Sequence, residues 1–207
     1  MKNSDRHILT TPITEEMLSD INVGDTIYLT GMMVTCRDDG HRRLVEERIK
    51  PKFNLDGMCI IHAGPIVKVG NDGKREMISI GPTTSRRMEK YEKDFIKESG
   101  VKIIVGKGGM GADTTEACKE YKALHCIYPG GCAVTAASQV EEIVDLEWED
   151  FGMPEALWVL RVKEFGPLIV SIDTKGNNLF EENKKMFNEK KTEEIDKIVS
   201  RMKFGHK

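Results

Sequence analysis

Hydroxyl and cationic side chains cluster at residues 80–88, Ile-Gly-Pro-Thr-Thr-Ser-Arg-Arg-Met, where an apolar run ends. Proline, threonine and serine are common at helix starts, so this stretch predicts a strand leading into a helix from Thr83 to about Glu98. The first turn of a helix presents free N–H groups and a positive dipole end to an anion. Because Thr83 and Arg87 are four residues apart, a helix would place them on one face. The stretch therefore predicts an anion site, although Thr83 taken alone would most simply be an N-cap.

Two more cations, Arg37 and Lys107, each closely follow an apolar run. Arginine matches a carboxylate through two parallel hydrogen bonds, and lysine adds a compact charge. Taken singly, Arg37 is interpreted as a surface salt-bridge partner and His41 as a capping or packing histidine. His62, inside an apolar run, is predicted to be a core histidine with its hydrogen bonds satisfied. The residues alone thus indicate candidate anion contacts at three separate element ends.

The loop around Lys107 also allows a nucleotide-binding interpretation. Gly106, Gly108 and Gly111 match the GxGxxG pattern between a predicted strand and a predicted helix. The acidic residue expected about twenty positions later for a ribose hydroxyl is missing, and no Walker A sequence is present. Two other interpretations stay open. The loop is either a flexible turn with an exposed lysine, or a close backbone approach to a small substrate that Lys107 helps to bind.

The composition is that of a globular chain with little excess charge. The 207 residues include 31 basic and 34 acidic side chains, a net charge of -3, which argues against a general nucleic-acid-binding protein. No apolar run reaches membrane-spanning length and residues 1–7 contain no signal-peptide core, so a cytoplasmic location away from the membrane is expected. Five cysteines lack CxxC spacing and are predicted to be buried or adventitious thiols, with no metal held by this chain. They are Cys36, Cys59, Cys118, Cys126 and Cys132.

Hydrophobic periodicity predicts an α/β fold with a mixed sheet, in which turn residues 70–73 close a hairpin. Strands are predicted at residues 26–31, 32–35, 58–62, 66–69, 77–80, 101–105, 126–128, 157–162 and 168–172. Helices are predicted at residues 15–21, 44–49, 83–98, from 113, across 133–144, and from 180 onward. We expect one domain, residues 1–180, followed by a charged helical C-terminal extension, residues 181–207.

Several motifs occur in one order along the chain and together resemble a known family. They are Thr11-Pro12, the segment NVGDTIYLTG at residues 22–31, Arg37-Asp38-x-x-His41, the segment GPTTSxRM at residues 81–88, and Lys107-Gly108-Gly109-Met110. The set resembles the β subunit, or C-terminal domain, of class I iron–sulfur fumarases and L-tartrate dehydratases. The resemblance runs from about residue 10 to about residue 175.

The resemblance implies a single swivelling β/β/α domain that closes over a partner α subunit holding a [4Fe-4S] cluster. One iron of that cluster has no protein ligand and acts as a Lewis acid on the substrate. The resemblance implies that Thr83 is the base that removes the C3 proton, with His41 and Gly108 as possible supporting residues. A threonine needs neighbouring cations for this role, because its hydroxyl is ordinarily a poor base. The residues implied to bind the substrate carboxylates are Arg37, Arg87 and Lys107.

The function implied by the resemblance is that of a β subunit of a heteromeric class I hydro-lyase. It would hydrate fumarate reversibly to L-malate and have negligible activity without its α subunit. The expected assembly is a heterotetramer, or a homodimer of the isolated chain. Within the family, the alternative is L-tartrate dehydratase, which converts L-tartrate to oxaloacetate. A nucleotide-binding Rossmann-like module and a non-catalytic interaction domain are the alternatives from other classes.

Overall fold

The structure, a computed structural model, describes residues 6–202. Residues 1–5, considered for a signal peptide, and residues 203–207 of the predicted extension lie outside this range. Nine strands are described, Arg6–Thr10 (β1), Thr26–Thr35 (β2), Cys59–Ile61 (β3), Ile66–Val69 (β4), Arg75–Ser79 (β5), Ile103–Gly106 (β6), Leu124–Ile127 (β7), Val140–Glu147 (β8) and Leu157–Ile172 (β9). The described α-helices are Glu15–Leu18 (α1), Asp38–Val45 (α2), Glu89–Ser99 (α3), Ala112–Glu120 (α4), Ala133–Ser138 (α5) and Leu179–Arg201 (α6).

The main sheet closes on itself. Strands β2, β3, β6 and β7 are successive neighbours and run parallel, whereas β9 runs antiparallel and pairs with both β7 and β2. The pairs β2–β3–β6–β7–β9–β2 therefore form a ring, which β1 extends at β2 and β8 extends at β9. This arrangement explains why β9 is 16 residues long. Its first part pairs with β8 and its last part with β7, while β2 follows the opposite edge.

Side chains of the ring strands alternate between two hydrophobic cores, as the pleat of a strand requires. In β3, Cys59 and Ile61 belong to a core to which all five ring strands contribute, and Ile60 belongs to a second core shared with the helices. One core therefore lies within the ring of strands, and the second lies between the ring and the helices. The helices α2, α3 and α4 supply the second core with Leu44, Val45, Tyr91, Phe95, Ile96, Ala117 and Cys118.

A hairpin and a terminal helix lie outside this ring. Strands β4 and β5 form the predicted hairpin, which contacts α5 and β8. Helix α6 begins at Leu179, and none of its residues is buried. The predicted single α/β domain with a mixed sheet and a helical C-terminal segment is thus confirmed. Within residues 6–202, no helix combines the length and apolarity that a bilayer crossing requires.

Two helix predictions were wrong in position. The stretch 133–144 is helical as far as Ser138 and then forms β8, because residues from Val140 onward pair with β9. The helix predicted at residues 44–49 begins earlier, at Asp38, where two acidic residues occupy the first turn and favour the helix dipole.

Two predicted strand breaks were also wrong. Residues 26–31 and 32–35 form one strand, because Gly31 adopts a φ of 102° that allows an irregular register without ending the pairing. Residues 163–167 contain Gly-Pro and were predicted to separate two strands. Phe165 is instead fully buried and pairs with Leu29, so packing overrides the turn signal. Most other elements differ from the prediction at their ends.

One buried histidine in the fold is held without a charge. His125 on β7 places Nδ1 2.6 Å from Ser171 Oγ, and the Ser171 hydroxyl donates to the His125 carbonyl at 3.0 Å. Because that hydroxyl hydrogen is used, Nδ1 carries the hydrogen and Nε2 is bare. The buried Nε2 has no hydrogen-bond partner among the described residues. Burial, with a smaller contribution from His62, lowers the pKa of His125 to about 3.

Acid is therefore expected to destabilise the chain through His125. In the unfolded chain a histidine binds a proton near pH 6.5, whereas folded His125 does so near pH 3. The unfolded state binds more protons between these values, so the free energy of unfolding should fall by about 1.4 kcal/mol per pH unit as the pH drops from about 6 to about 4. Urea unfolding across this range measures the slope. His125→Gln should reduce the slope by that amount, and equal slopes in both proteins would contradict the assignment.

Candidate active site

The parallel strands of the ring bring two of the predicted site residues, Arg37 and Lys107, to one edge together with His62. Arg37 lies two residues beyond the carboxyl end of β2, His62 directly follows β3, and Lys107 directly follows β6. Because β2, β3 and β6 are parallel neighbours, their carboxyl ends meet at the same edge of the sheet. Ligand sites of α/β proteins are commonly built at such an edge.

The segment after β5 is fastened to this edge by backbone hydrogen bonds. The Thr83 N–H donates to the His62 carbonyl at 2.6 Å, and the Lys107 N–H donates to the Thr83 carbonyl at 2.9 Å. The Ser85 N–H in turn donates to the Lys107 carbonyl at 3.0 Å. Two of the three predicted cation-bearing loops, those of Arg87 and Lys107, are therefore connected through the main chain.

The predicted helix at residues 83–98 starts later than expected. Residues Ser85–Met88 form a 3-10 turn, and the α-helix begins only at Glu89. Thr84, not Thr83, precedes the turn, and it makes no side-chain cap, so the N-cap interpretation of Thr83 is wrong. The Thr83 hydroxyl instead accepts a hydrogen bond from Arg87 Nη2 at 3.1 Å. A guanidinium at this distance favours the alkoxide form of a hydroxyl.

Arg87 is oriented by an acidic residue from another element. Its Nε and Nη2 donate to the two Asp38 carboxylate oxygens at 3.1 and 2.8 Å, a bidentate pair. This hydrogen bond holds the pKa of Asp38 below its ordinary value and raises that of Arg87. The Arg87 side chain is still 44% exposed. The guanidinium is thus fixed in direction while part of it faces solvent.

Arg37 is more enclosed and is held by the segment before β9. Its Nη2 lies 3.0 Å from Glu155 Oε1, and its Nη1 donates to the Pro154 carbonyl at 3.4 Å. The side chain of Arg37 is 23% exposed. Burial raises the pKa of Glu155, although Arg37 and the Asp39 N–H act in the opposite direction. Arg37 is therefore a salt-bridge partner, as interpreted from the sequence, but one that is partly buried and oriented.

Lys107 is the uncommitted cation at this edge. The side chain is exposed, and its ammonium makes no hydrogen bond or ion pair with any described residue. Gly108 follows with a φ of 78°, a conformation that favours glycine. A Cβ at Gly109 would lie 2.5 Å from the Phe180 ring, so the loop packs closely under the start of α6. The loop is therefore anchored on one side and presents its charge on the other.

The backbone N–H groups at the start of α4 are already hydrogen-bonded within the protein, which argues against the nucleotide-binding interpretation. The Glu89 carboxylate accepts hydrogen bonds from the Gly111 N–H at 2.5 Å and from the Thr114 N–H and hydroxyl at 3.3 and 3.0 Å. These amide groups are those that a pyrophosphate would use in a dinucleotide site. They already bind an anionic side chain of the same protein. The glycine pattern thus serves loop and helix packing in this structure.

The cysteines do not assemble into a ligand set in the described part of the chain. Four of the five are buried, and Cys132 is partly exposed. Burial raises the pKa of the thiols of Cys59, Cys118 and Cys126 and keeps them protonated. Within residues 6–202, the one group of three potential metal ligands that approach closely is His41, His62 and Glu92. The described residues therefore do not fit an iron–sulfur cluster, which requires thiolate ligands.

Comparison with known proteins assigns the family. A model of the fumarase C-terminus matches residues 1–183 of the chain. The chain belongs to the fumarase C-terminal family. The resemblance expected from the motifs is thereby confirmed.

Relatives in this family carry two kinds of name. The L(+)-tartrate dehydratase subunit beta of Escherichia coli (strain K12) is 58% identical over 199 residues, covering 96% of this chain and 98% of that protein. A Methanocaldococcus jannaschii protein provisionally named L(+)-tartrate dehydratase subunit beta is 41% identical and covers 84% of this chain and 92% of its own. A Geobacillus stearothermophilus protein provisionally named class I fumarate hydratase is 36% identical over 96% of this chain, but the match spans only 38% of that protein.

Three acidic residues that were not predicted as site residues contact the candidate site residues of this family member. Asp38 and Glu155 hold the two arginines, and Glu92 lies between His41 and His62. A signal for Glu92 was present in the sequence, because it falls on the buried stripe of α3 with Tyr91, Phe95 and Ile96. An acidic residue on a buried stripe requires a charged partner. No comparable signal pointed to Asp38 as the partner of Arg87, 49 residues away.

Proposed function

We propose that the chain is the β subunit of a class I iron–sulfur hydro-lyase and that its substrate is L-tartrate, which loses water to give oxaloacetate. The observation that carries the choice of substrate is the 58% identity to an L(+)-tartrate dehydratase β subunit across nearly the whole of both chains. Fumarate and L-malate are the second candidate pair, favoured by the 36% identity to the protein provisionally named class I fumarate hydratase.

The proposed roles of this chain's residues are substrate binding and proton removal. L-tartrate carries two carboxylates, and three cations from three loops, Arg37, Arg87 and Lys107, suit such a dianion. Asp38 binds and orients the Arg87 guanidinium, and Glu155 binds and orients the Arg37 guanidinium. Removing a proton beside a carboxylate increases the negative charge on that carboxylate, so the same cations would stabilise the transition state.

Thr83 is the proposed base for the substrate C–H proton. Its hydroxyl already accepts a hydrogen bond from Arg87 Nη2 and is half-buried. The uncommitted ammonium of Lys107 belongs to the loop that is hydrogen-bonded to the Thr83 backbone. A guanidinium beside the hydroxyl, with a second cation on the neighbouring loop, is the environment in which a threonine can take up a proton through its alkoxide form.

The proposed partner is an α subunit that holds the [4Fe-4S] cluster. When bound, the cluster supplies a Lewis acid for the departing hydroxyl. None of this chain's described residues supplies such a Lewis acid in its place. The name "subunit beta" of the relatives supports a two-subunit enzyme. We further propose that residues 1–180 form the swivelling unit and residues 181–207 an extension. The family match that ends at residue 183 and the start of α6 at Leu179 support this division.

Substrate preference of the assembled enzyme tests this proposal. The chain would be co-expressed anaerobically with its cluster-bearing subunit, and kcat/KM would be measured on L-tartrate, L-malate, fumarate and mesaconate. We expect L-tartrate to be preferred over L-malate by at least about 10-fold, since a site that hydrogen-bonds the extra hydroxyl discriminates against its absence. D-tartrate is the matched control for stereochemistry. A preference for fumarate and L-malate would replace tartrate by the second candidate, and no association with any cluster-bearing subunit would favour an interaction domain.

A further inference from the structure

Three buried titratable side chains meet directly beneath the loops of the candidate active site. His41 on α2, His62 after β3 and Glu92 on α3 are each fully buried. Glu92 Oε2 lies 3.4 Å from His41 Nε2 and 3.2 Å from His62 Nε2, and the imidazole centroids are 5.1 Å apart. These are charge contacts rather than aligned hydrogen bonds, because none of these atoms has a hydrogen-bond partner among the described residues. We call this set the His–Glu–His cluster.

On one side the cluster binds the backbone of Arg37. The Arg37 carbonyl accepts two hydrogen bonds from His41, one from its backbone N–H at 2.9 Å and one from its imidazole Nδ1 at 2.7 Å. Arg37 is the N-cap residue of α2 and makes no side-chain cap itself. The position of the Arg37 backbone at the end of β2 is therefore determined in part by the imidazole of His41.

On the other side the cluster binds the segment that carries Thr83. The His62 carbonyl accepts the Thr83 N–H at 2.6 Å, and His62 Nδ1 lies 3.1 Å from Ser85 Oγ. The Ser85 N–H also donates to the Lys107 carbonyl. His62 thus contacts both ends of the turn that presents Thr83, one end through its backbone carbonyl and the other through its imidazole. Through Ser85 it also meets the loop of Lys107.

The hydrogen-bond pattern assigns charges within the cluster. His41 Nδ1 donates to a carbonyl and so carries a hydrogen, and a bare Nε2 would place a lone pair against the Glu92 carboxylate. The Ser85 hydroxyl can donate to His62 Nδ1, which leaves the His62 hydrogen on Nε2, toward Glu92. With Glu92 ionised, these contacts are satisfied by a His41 imidazolium and a neutral His62. The net charge of the cluster is then zero, as a fully buried site requires.

The pKa directions agree with this assignment. Burial opposes the charge of His41, but Cys36 and Glu92 raise its pKa well above the ordinary value. Burial lowers the pKa of His62, with Glu92 acting against that change. Burial also opposes the charge of Glu92, yet the two histidines hold its pKa far below the ordinary value. Other titratable groups that act on the cluster or respond to it are Asp38 from α2, Cys118 from α4 and His125 from β7.

We propose that the His–Glu–His cluster is a positioning unit for the substrate site, in which a proton held on His41 and a carboxylate on Glu92 keep the loops of Arg37 and Thr83 in register. The effect on turnover rests on the proposed function, whereas the charge state of the cluster does not. Replacing Glu92 would leave a buried imidazolium without compensation. Either it would lose the proton on Nε2 or the two loops would separate. Both outcomes remove the charge pair that holds His41 against Glu92, and we expect the substrate-binding groups to shift as a result.

A bound metal ion is the other chemical species that could occupy such a set of ligands. The three potential ligand atoms lie within 4.8 Å of one another. Structural zinc sites use four ligands, and catalytic ones keep an open position. This set is fully buried and offers three. We therefore assign the centre of the cluster to a proton, and the experiment distinguishes the two.

Nitrogen-15 NMR of the full chain, with labelled histidine, tests the charge state directly. We expect both ring nitrogens of His41 to show imidazolium shifts from about pH 5.5 to about pH 8.5, without a transition near 6.5. His62 should be neutral with its hydrogen on Nε2. The proposal would be overturned if His41 is neutral at pH 7.5. It would also be overturned if a metal-shifted Nε2 accompanies stoichiometric metal in the purified chain.

Variants of the assembled enzyme test the positioning role. Glu92→Gln should lower kcat/KM by about 100-fold, the loss expected from a small misplacement of binding groups. The double variant Glu92→Gln/His41→Asn removes both charges, and its asparagine amide places an N–H where His41 Nδ1 donates to the Arg37 carbonyl. It should therefore recover to within about 10-fold of wild type. His125→Gln replaces an equally buried histidine outside the cluster that is uncharged at neutral pH, so it removes no charge that acts on the cluster. It is the matched control and should leave kcat/KM unchanged. Additive losses in the double variant, or an unimpaired Glu92→Gln enzyme, would refute positioning by charge compensation.

The two measurements separate this inference from the proposed function. If the wild-type complex turns over none of the dicarboxylates, the proposed function fails while the NMR result still decides the charge state. If Glu92→Gln does not fold, wild-type NMR and the double variant remain decisive, because neither contains an uncompensated charge.

Discussion

Replacing Arg87 by alanine is expected to lower kcat/KM of the assembled enzyme by about 100- to 1,000-fold, the loss seen when one preorganised donor is removed from an active site. Arg87 combines two contacts that no neighbour duplicates, the bidentate pair with Asp38 and the hydrogen bond to the Thr83 hydroxyl. Its removal would take away a proposed substrate-binding cation and the group that hydrogen-bonds the proposed base. Because the side chain is 44% exposed, the fold should persist. Steady-state kinetics with circular dichroism as a folding check measures this effect.

The matched control for Arg87 is the adjacent cation. Arg86 is exposed and its guanidinium lies near Gly111 at the start of α4, away from Asp38. Arg86→Ala should therefore stay within about 2-fold of wild type, as is usual for surface changes. Arg87→Lys keeps the charge but cannot form the bidentate pair, so it should recover little of the loss. Wild-type rates for Arg87→Ala would remove Arg87 from the site.

Thr83→Val is expected to lower kcat by about 100- to 10,000-fold, the range for loss of a general base. The substitution keeps the size and branching of the side chain and removes only the hydroxyl. Thr83→Ser, which retains a hydroxyl beside Arg87, should keep most of the activity. KM should change less than kcat, because the cations that would bind the carboxylates are still present.

The control for Thr83 is its neighbour in the same segment. Thr84 precedes the 3-10 turn without capping it through its side chain, so Thr84→Val should remain close to wild type. A primary deuterium effect on kcat, measured with substrate labelled at the reacting carbon, would show whether C–H cleavage limits the rate. Unchanged kcat in Thr83→Val would exclude Thr83 as the base and leave it as a hydrogen-bond partner of Arg87.

Some of the fold and site followed from short-range pattern. The apolar runs at β3 and β6 predicted strands, and Arg37 and Lys107 were placed at element ends. The structure adds that parallel pairing brings these ends to one edge. The hairpin of β4 and β5 followed from its turn residues. These features depend on residues that are close in sequence or on one simple rule of sheet geometry. The substrate-binding roles of Arg37 and Lys107 stay predictions.

Other features depend on contacts between distant elements and could not be predicted from pattern. The long strand β9 includes a Gly-Pro pair because Phe165 is buried against β2, which outweighs a local turn preference. Residues after Ser138 leave the helix because β9 offers an edge for β8. Asp38 meets Arg87, and Glu92 meets two histidines, only after α2 and α3 pack on the sheet. The charge network of the site is therefore a tertiary property.

In the proposed enzyme, this chain supplies binding groups to a site completed by another subunit. The most direct test is complementation of separately purified subunits under anaerobic conditions. We predict that the iron-free chain alone turns over neither L-tartrate nor fumarate. As the cluster-bearing subunit is added, turnover should rise and then level off once the two subunits are equimolar. Turnover of either substrate by the iron-free chain alone would contradict the account.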